Sequence, residues 1–178
     1  QERVSLERLA QLSILANEGD LKREDGKWIY YGDAMDVAFL AMGYKLGLIP
    51  AKVRSAVRLV GRIPYESERK FSAAFYDHNG ITYVAAKGAV ETILNFCNYM
   101  WNQDGVVKLE REEIEKQAET MAAQGYRVLA VAGAEYPGFR QKEMYEDTDL
   151  PRMVFHGLVG FLDPLRPEAI KAVKKCKE

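Results

Sequence analysis

The sequence predicts an α+β fold, and three observations predict it. Asn79-Gly80 stands between two runs of β-formers, Phe71 to Tyr76 and Ile81 to Lys87, so the two strands must run antiparallel. Ile114, Ala118, Met121 and Ala122 fall on one stripe of Glu110 to Gln124, with Gly125 after the last turn, which makes that segment an amphipathic helix. Across the chain such patterns give about three substantial helices and roughly six or more strands, with the hairpin making part of the sheet antiparallel.

Composition bounds the function. The 178 residues are enough for one domain with a sizeable core. Apolar residues make up 48% and charged residues 29%, as in an ordinary globular chain. A net charge of -1 argues against a broad nucleic-acid-binding surface. Cys97 and Cys176 have no CxxC spacing, and with only His78 and His156 beside them they do not make a structural zinc set. They are compatible with a reducing compartment. No run reaches the roughly 20 apolar residues of a membrane span, and the charged start at Gln1-Glu2-Arg3 has no signal-peptide pattern. The start without Met, and the end inside a helical pattern at Lys174 to Glu178, are those expected of a piece of a longer protein.

From the N-terminus, Leu6, Leu9, Ala10, Leu12 and Ile14 fit a helix capped by Ser5. Gly19 to Gly26 is expected to be a charged loop and Lys27 to Tyr31 a short strand. Asp33 caps a second helix whose apolar face is Val37, Leu40, Ala41 and Tyr44, closed by Gly47 and Pro50. Asp36 lies in its first turn, where a carboxylate is favoured by the helix dipole whatever else it does. Arg58 to Tyr65 reads as a strand, with a bulge at Gly61. A polar turn, Glu66 to Lys70, leads into the hairpin. With Asn79 and Gly80 as a type I′ turn, His78 pairs with Ile81 and Ser72 falls opposite Lys87, with Lys70 just beyond.

Lys87 ends its strand and Gly88 follows, so a flat or anionic ligand could reach both an ammonium and bare backbone; a plain surface lysine before a turn has the same pattern. Asn95 to Trp101 is expected to be helical, with Phe96 and Met100 inward, followed by a loop at Asn102 to Gly105 and a short strand at Val106-Val107. Tyr126 to Ala134 is a strand that sets Arg127 on the face of Leu129 and Val131. An arginine there either snorkels to the rim or is a donor held by the core. Glu135 to Asp149 is polar and studded with aromatics, and Asp147-Thr148-Asp149 reads as a solvated turn. Met153 to Leu162 is the last strand. Asp163-Pro164-Leu165-Arg166-Pro167 then makes a stiff connector, and Glu168 to Lys175 begins a helix.

The sequence contains no GxxxxGK[ST], no GxGxxG and no GxSxG, and neither histidine neighbours a nucleophile-and-acid pair. The chain reads as a binder rather than a self-contained catalyst.

Five separated segments, in order, resemble those of P-type ion-pumping ATPases. Gly32-Asp33-Ala34-Met35-Asp36-Val37-Ala38 resembles their Gly-Asp/Glu-x-x-Glu-x-Ala segment. Ile63 to Lys70 resembles Phe-x-Ser-x-x-Arg-Lys, and Lys87-Gly88-Ala89-Val90-Glu91 resembles Lys-Gly-Ala-Pro-Glu. Gly125 to Ala130 is similar to Gly-x-Arg-x-Leu-Ala, and Asp163 to Arg166 to the Asp-Pro-Pro-Arg hinge. The resemblance implies the cytoplasmic nucleotide-binding domain of a cation pump, in which a twisted, mainly antiparallel sheet is flanked by helices. It implies a nucleotide-binding domain over residues 1–162, and a hinge with the return into the phosphorylation domain over 163–178. The segments favour the ion-pumping branches over the heavy-metal branch.

The roles implied are these. Tyr65 stacks on adenine, Lys87 lies at the base of the adenine pocket with Gly88 admitting the ring, and Asp36 meets the adenine amino group. Arg127 reaches for the phosphates, Lys70 and Ser72 line the pocket, and Asp163 and Arg166 form the hinge. ATP is the ligand, as Mg-ATP in the parent pump, and the phosphorylation and actuator domains are the partners. The family's Asp-Lys-Thr-Gly-Thr and its membrane helices lie outside these residues, so the chain is expected to bind ATP without hydrolysing it. Departures are Asp36 for glutamate, Tyr65 for phenylalanine, Val90 for proline and Leu165 for the second hinge proline. Asp36 and Val90 motivate an alternative: a non-catalytic docking or regulatory module of the same fold that has lost its nucleotide.

Overall fold

The turn at Asn79-Gly80 has φ of 55 and 81, the pair of positive values that a type I′ hairpin needs. It joins β4 (Phe71–His78) to β5 (Ile81–Gly88), and the register follows from it: His78 pairs with Ile81 and Ser72 with Lys87. The computed structural model describes residues 2–102 and 104–162; the expected hinge residues Asp163 and Arg166 and the helix start at Glu168 lie outside the described residues.

The hairpin supplies the second and third strands of a seven-stranded sheet of order β3-β4-β5-β8-β9-β6-β7. Its other strands are β3 (Arg58–Ile63), β6 (Cys97–Asn102), β7 (Gly105–Lys108), β8 (Arg127–Glu135) and β9 (Met153–Phe161). All neighbours pair antiparallel except β6 and β9, which run parallel. Helices cover both faces, as expected for α+β. On one face, Leu9 and Leu12 of α1 (Glu2–Leu15), Ala16 just after it and Phe39 of α2 (Ala34–Lys45) pack on Tyr76, Ala85, Val131 and Val159. On the other, Ile93 and Leu94 of α4 (Val90–Asn95) and Ile114 of α5 (Arg111–Ala123) pack on Phe71, Phe75, Val84, Ala86, Ala130 and Ala132. The strict alternation of β4, β5 and β8 sends neighbouring residues into these two cores.

Four local readings are corrected. Ser5 is not a cap: α1 already runs from Glu2, and Ser5 is inside it. The expected loop at Gly19–Gly26 is instead β1 (Asp20–Glu24), paired with β2 (Lys27–Tyr31) through an Asp25-Gly26 turn with φ of 49 and 78. Asp-Gly is a hairpin signal as strong as Asn-Gly; the charges of the strand had masked it. Residues 97–102 form strand β6, not helix. Met100 pairs with Val107 of β7 and with Phe155 of β9, so cross-strand partners on both sides outweigh the helical spacing of Phe96 and Met100. Pro50, expected only to close α2, opens a further helix, α3 (Pro50–Ser55), at N1, where its missing N–H costs nothing.

The irregular stretch after β8 is well packed. Phe139 and Tyr145 stack on one another and pack tilted against Phe75, and Tyr145 is buried. The ring occupies the space beside Gly61, at the bulge between Leu59 and Gly61, where a Cβ would come within 2.4 Å of it, so the packing requires that glycine. Asp147–Asp149 forms a 3₁₀ turn held by ion pairs of Asp149 with Lys142 and of Asp147 with Arg69, which also reaches Glu66.

Candidate functional site

Where α2 begins, the end of α1, the start of β8 and the end of β5 meet around a cavity of ≈ 410 Å³. Asp36, Tyr65, Lys87, Gly88 and Arg127 all line it. Lys87 is 6% exposed and Asp36 8%, and the ammonium donates to Asp36 Oδ1 at 2.6 Å. The α2 start brings them together: Asp33 caps the helix, accepting from the Met35 N–H at 2.7 Å, which sets Asp36 one turn inward. Lys87 also lies 5.4 Å from the Phe39 ring centroid, a cation–π contact that holds the ammonium in an otherwise apolar wall. Such a pair is electrostatically complete on one side only. The second carboxylate oxygen and the remaining ammonium protons are the groups that could meet a ligand.

Tyr65 stands apart from the packing, 54% exposed at the rim, as a free ring face. Its backbone N–H donates to Glu18 Oε1 at 3.2 Å. Arg127 is exposed on the same side, with Leu129 beside it on the wall, so the alternation of β8 delivers it to the cavity mouth. The cavity thus carries carboxylates from Glu18, Asp33 and Asp36 and cations from Lys87 and Arg127.

Lys70 and Ser72 are not among the lining residues. Ser72 is fully buried and its hydroxyl donates to the Ala16 carbonyl at 3.1 Å, tying β4 to the end of α1. Lys70 adopts a positive φ of 58, accepts the Ala89 N–H at 2.9 Å on its carbonyl, and places its ammonium 3.6 Å from Glu91. Gly88 has a reason of its own to be glycine: a Cβ there would sit 2.4 Å from the Lys70 carbonyl oxygen. Val90 is the first residue of α4, a position that suits proline but does not need it.

Sequence reasoning missed Glu18, Met35 and Leu129 on the wall. Glu18 could be found only from the tertiary structure, since the segment that carries it is shaped by distant groups. Arg54 of α3 donates to the Asn17 carbonyl at 3.2 Å and the Gly19 carbonyl at 2.9 Å, and the Asn17 amide donates to the Asp36 carbonyl at 2.9 Å. Burial pulls Arg54 below its ordinary pKa, and nearby Arg62 adds to this while Asp20 and Asp36 oppose it. Among the described residues no group of three His, Cys, Asp or Glu side chains could hold a metal ion.

Comparison with known proteins fits this arrangement. Residues 5–168 match the family described as P-type ATPase, cytoplasmic domain N. The chain is 36% identical over 174 residues to the "Cation-transporting ATPase pma1" of Synechocystis sp., covering 97% of this chain and 19% of that protein. It is 31% identical over 166 residues to the "Probable cation-transporting ATPase F" of Mycobacterium tuberculosis, covering 90% and 18%. It is 28% identical over 183 residues to the "Calcium-transporting ATPase" of Bacillus subtilis, covering 97% and 20%. The chain therefore spans about a fifth of the length of these relatives. With the mainly antiparallel, helix-flanked sheet and the motif residues drawn around one cavity, the chain belongs to the P-type ATPase family, as its cytoplasmic domain N.

Proposed function

We propose that this chain is the ATP-binding domain of a cation-transporting P-type ATPase, holding adenine in the cavity and presenting the γ-phosphate to an aspartate elsewhere in the parent chain. The observation that carries this reading is the convergence of Tyr65, Asp36, Lys87, Gly88 and Arg127 on one cavity of ≈ 410 Å³, a size suited to a small ligand. Tyr65 offers a ring for stacking, worth roughly 1–3 kcal/mol for a base. The unengaged oxygen of Asp36 accepts from an exocyclic amino group, and Lys87 both orients that carboxylate and donates to a ring nitrogen. Arg127, at the mouth, supplies donors for phosphate oxygens. ATP brings the transferable phosphoryl group; the residues of this chain bind and orient it. Residues 1–162 are then the nucleotide-binding domain and 163–178 the hinge towards the phosphorylation domain, with that domain and the actuator domain as partners.

Calorimetric titration tests this reading. ATP, ADP and AMP are expected to bind, with little change when magnesium is removed. Tyr65→Ala should weaken all three by about 10- to 100-fold. Arg127→Ala should weaken ATP by about 10-fold and leave AMP nearly unchanged. A flat titration of the folded chain with all three nucleotides contradicts the reading and favours a docking module of the same fold.

A further inference from the structure

A second concave surface shares no residue with the cavity just described. A cavity of ≈ 330 Å³ lies between α1, α3 and the β4–β5 hairpin, with Arg8, Leu12, Tyr76 and Tyr83 among its lining residues. A smaller one of ≈ 130 Å³ carries Arg54, Leu59 and Arg62. Leu15, Val57 and Tyr76 line both, so the two form one continuous groove. The irregularity between Leu59 and Gly61 builds the far end: the shift in register sets both Leu59 and Arg62 towards the groove.

The chemistry of the groove is one-sided. No aspartate or glutamate lines either part. Arg8 stands in one part, and Arg54 and Arg62 in the other. Among the described residues Arg8 and Arg62 make no ion pair, and Arg54 has only Asp20, at 3.8 Å, while its hydrogen bonds go to backbone carbonyls. His78 is committed to the Ala56 carbonyl, 3.0 Å from its Nδ1. Between the cations lies an apolar and aromatic floor. Leu59 is half exposed, and Tyr76 and Tyr83 stack with centroids 5.7 Å apart and an interplanar angle of 16°. Burial pushes the Tyr76 phenol up to about 12, so it remains a hydrogen-bond donor. The guanidiniums of Arg8 and Arg62, on either side of a flat apolar floor and without an ion pair among the described residues, select a ligand that is itself flat, apolar in the middle and anionic at its ends.

We infer that this groove is a binding site for a small planar aromatic anion, with its acidic groups on Arg8 and Arg62 and its ring against Tyr76. The inference does not rest on the ATP reading, because the two sites share no lining residue. The test titrates the isotopically labelled 178-residue chain with naphthalene-2,6-dicarboxylate, followed by NMR. Saturable shifts are expected at Leu15, Val57 and Tyr76, unchanged when ATP is present at saturation. The double variant Arg8→Gln/Arg62→Gln, which breaks no ion pair of the described residues, should weaken binding at least tenfold (about 1.4 kcal/mol). The neutral dimethyl ester should not bind. The inference is overturned by shifts at Tyr65 and Arg127 that ATP displaces, by equal binding of the ester, by undiminished binding to the double variant, or by no saturable shift in a well-dispersed spectrum.

Discussion

Lys87 is 6% exposed with its ammonium on Asp36, and that contact changes what its replacement measures. Removing either partner leaves an uncompensated buried charge, so Lys87→Met should lower stability by about 3–5 kcal/mol in urea unfolding. The double change Asp36→Asn/Lys87→Met removes both charges and should recover most of that loss. A single variant as stable as the parent chain would show that the pair is not closed in solution. Loss of ATP binding in Lys87→Met alone therefore mixes binding with folding, whereas Tyr65, 54% exposed, is the clean probe. His156 gives a second prediction at this scale. Burial, with Arg8 nearby, lowers its pKa from 6.5 to about 4. The unfolded chain then takes up this proton first, so the stability contributed by neutral His156 is complete above about pH 6.5 and lost as pH falls towards 4. Unfolding followed from pH 7.5 to 4.5 should show the parent chain losing roughly 2–3 kcal/mol more than His156→Gln. Parallel pH curves would contradict the assignment. At the residue scale, the motif residues Asp36, Tyr65, Lys87, Gly88 and Arg127 line one cavity, whereas Lys70 and Ser72, expected beside them, do not. Glu18 was not legible, because nothing local to it marks the cavity.

The segment from Ala16 to Gly19, which follows α1, has no regular structure, yet it forms a wall of the cavity. Arg54 holds it through the Asn17 and Gly19 carbonyls, and Ser72 through the Ala16 carbonyl. Arg54→Ala leaves buried carbonyls without a donor. It should cost about 1–3 kcal/mol and, on the proposed reading, weaken ATP about 3- to 10-fold through Glu18 and Tyr65, although Arg54 does not line the candidate cavity. Unchanged ATP affinity in a destabilised variant would mean that the wall does not position Tyr65. The same scale explains which elements the sequence disclosed. Turn chemistry and register around Asn79-Gly80 are local and were readable. Strand β6 was not, because Phe96 and Met100 have helical spacing and only β7 and β9, distant in sequence or across a turn, make it a strand. The packing of residues 136–150 depends on Gly61 and Phe75, and no pattern within the stretch reveals it.

At the scale of the whole molecule, the sheet separates two cores, and α1 serves both concave surfaces of its own face. Its body lines the arginine-rich groove and its end continues into the wall of the candidate ATP cavity. The chain spans about a fifth of its pump relatives, so its binding step and the transport they are named for are separate questions. The central claim is that adenine, rather than the phosphates, anchors the nucleotide here. An NMR titration of the labelled chain with ATP, repeated with AMP, tests it most directly. Shifts clustered at Tyr65, Gly88 and Arg127 with ATP, and at Tyr65 and Gly88 with AMP, saturating with both, are the predicted result. Saturation with ATP and none with AMP would contradict it, as would a dispersed spectrum that neither nucleotide moves.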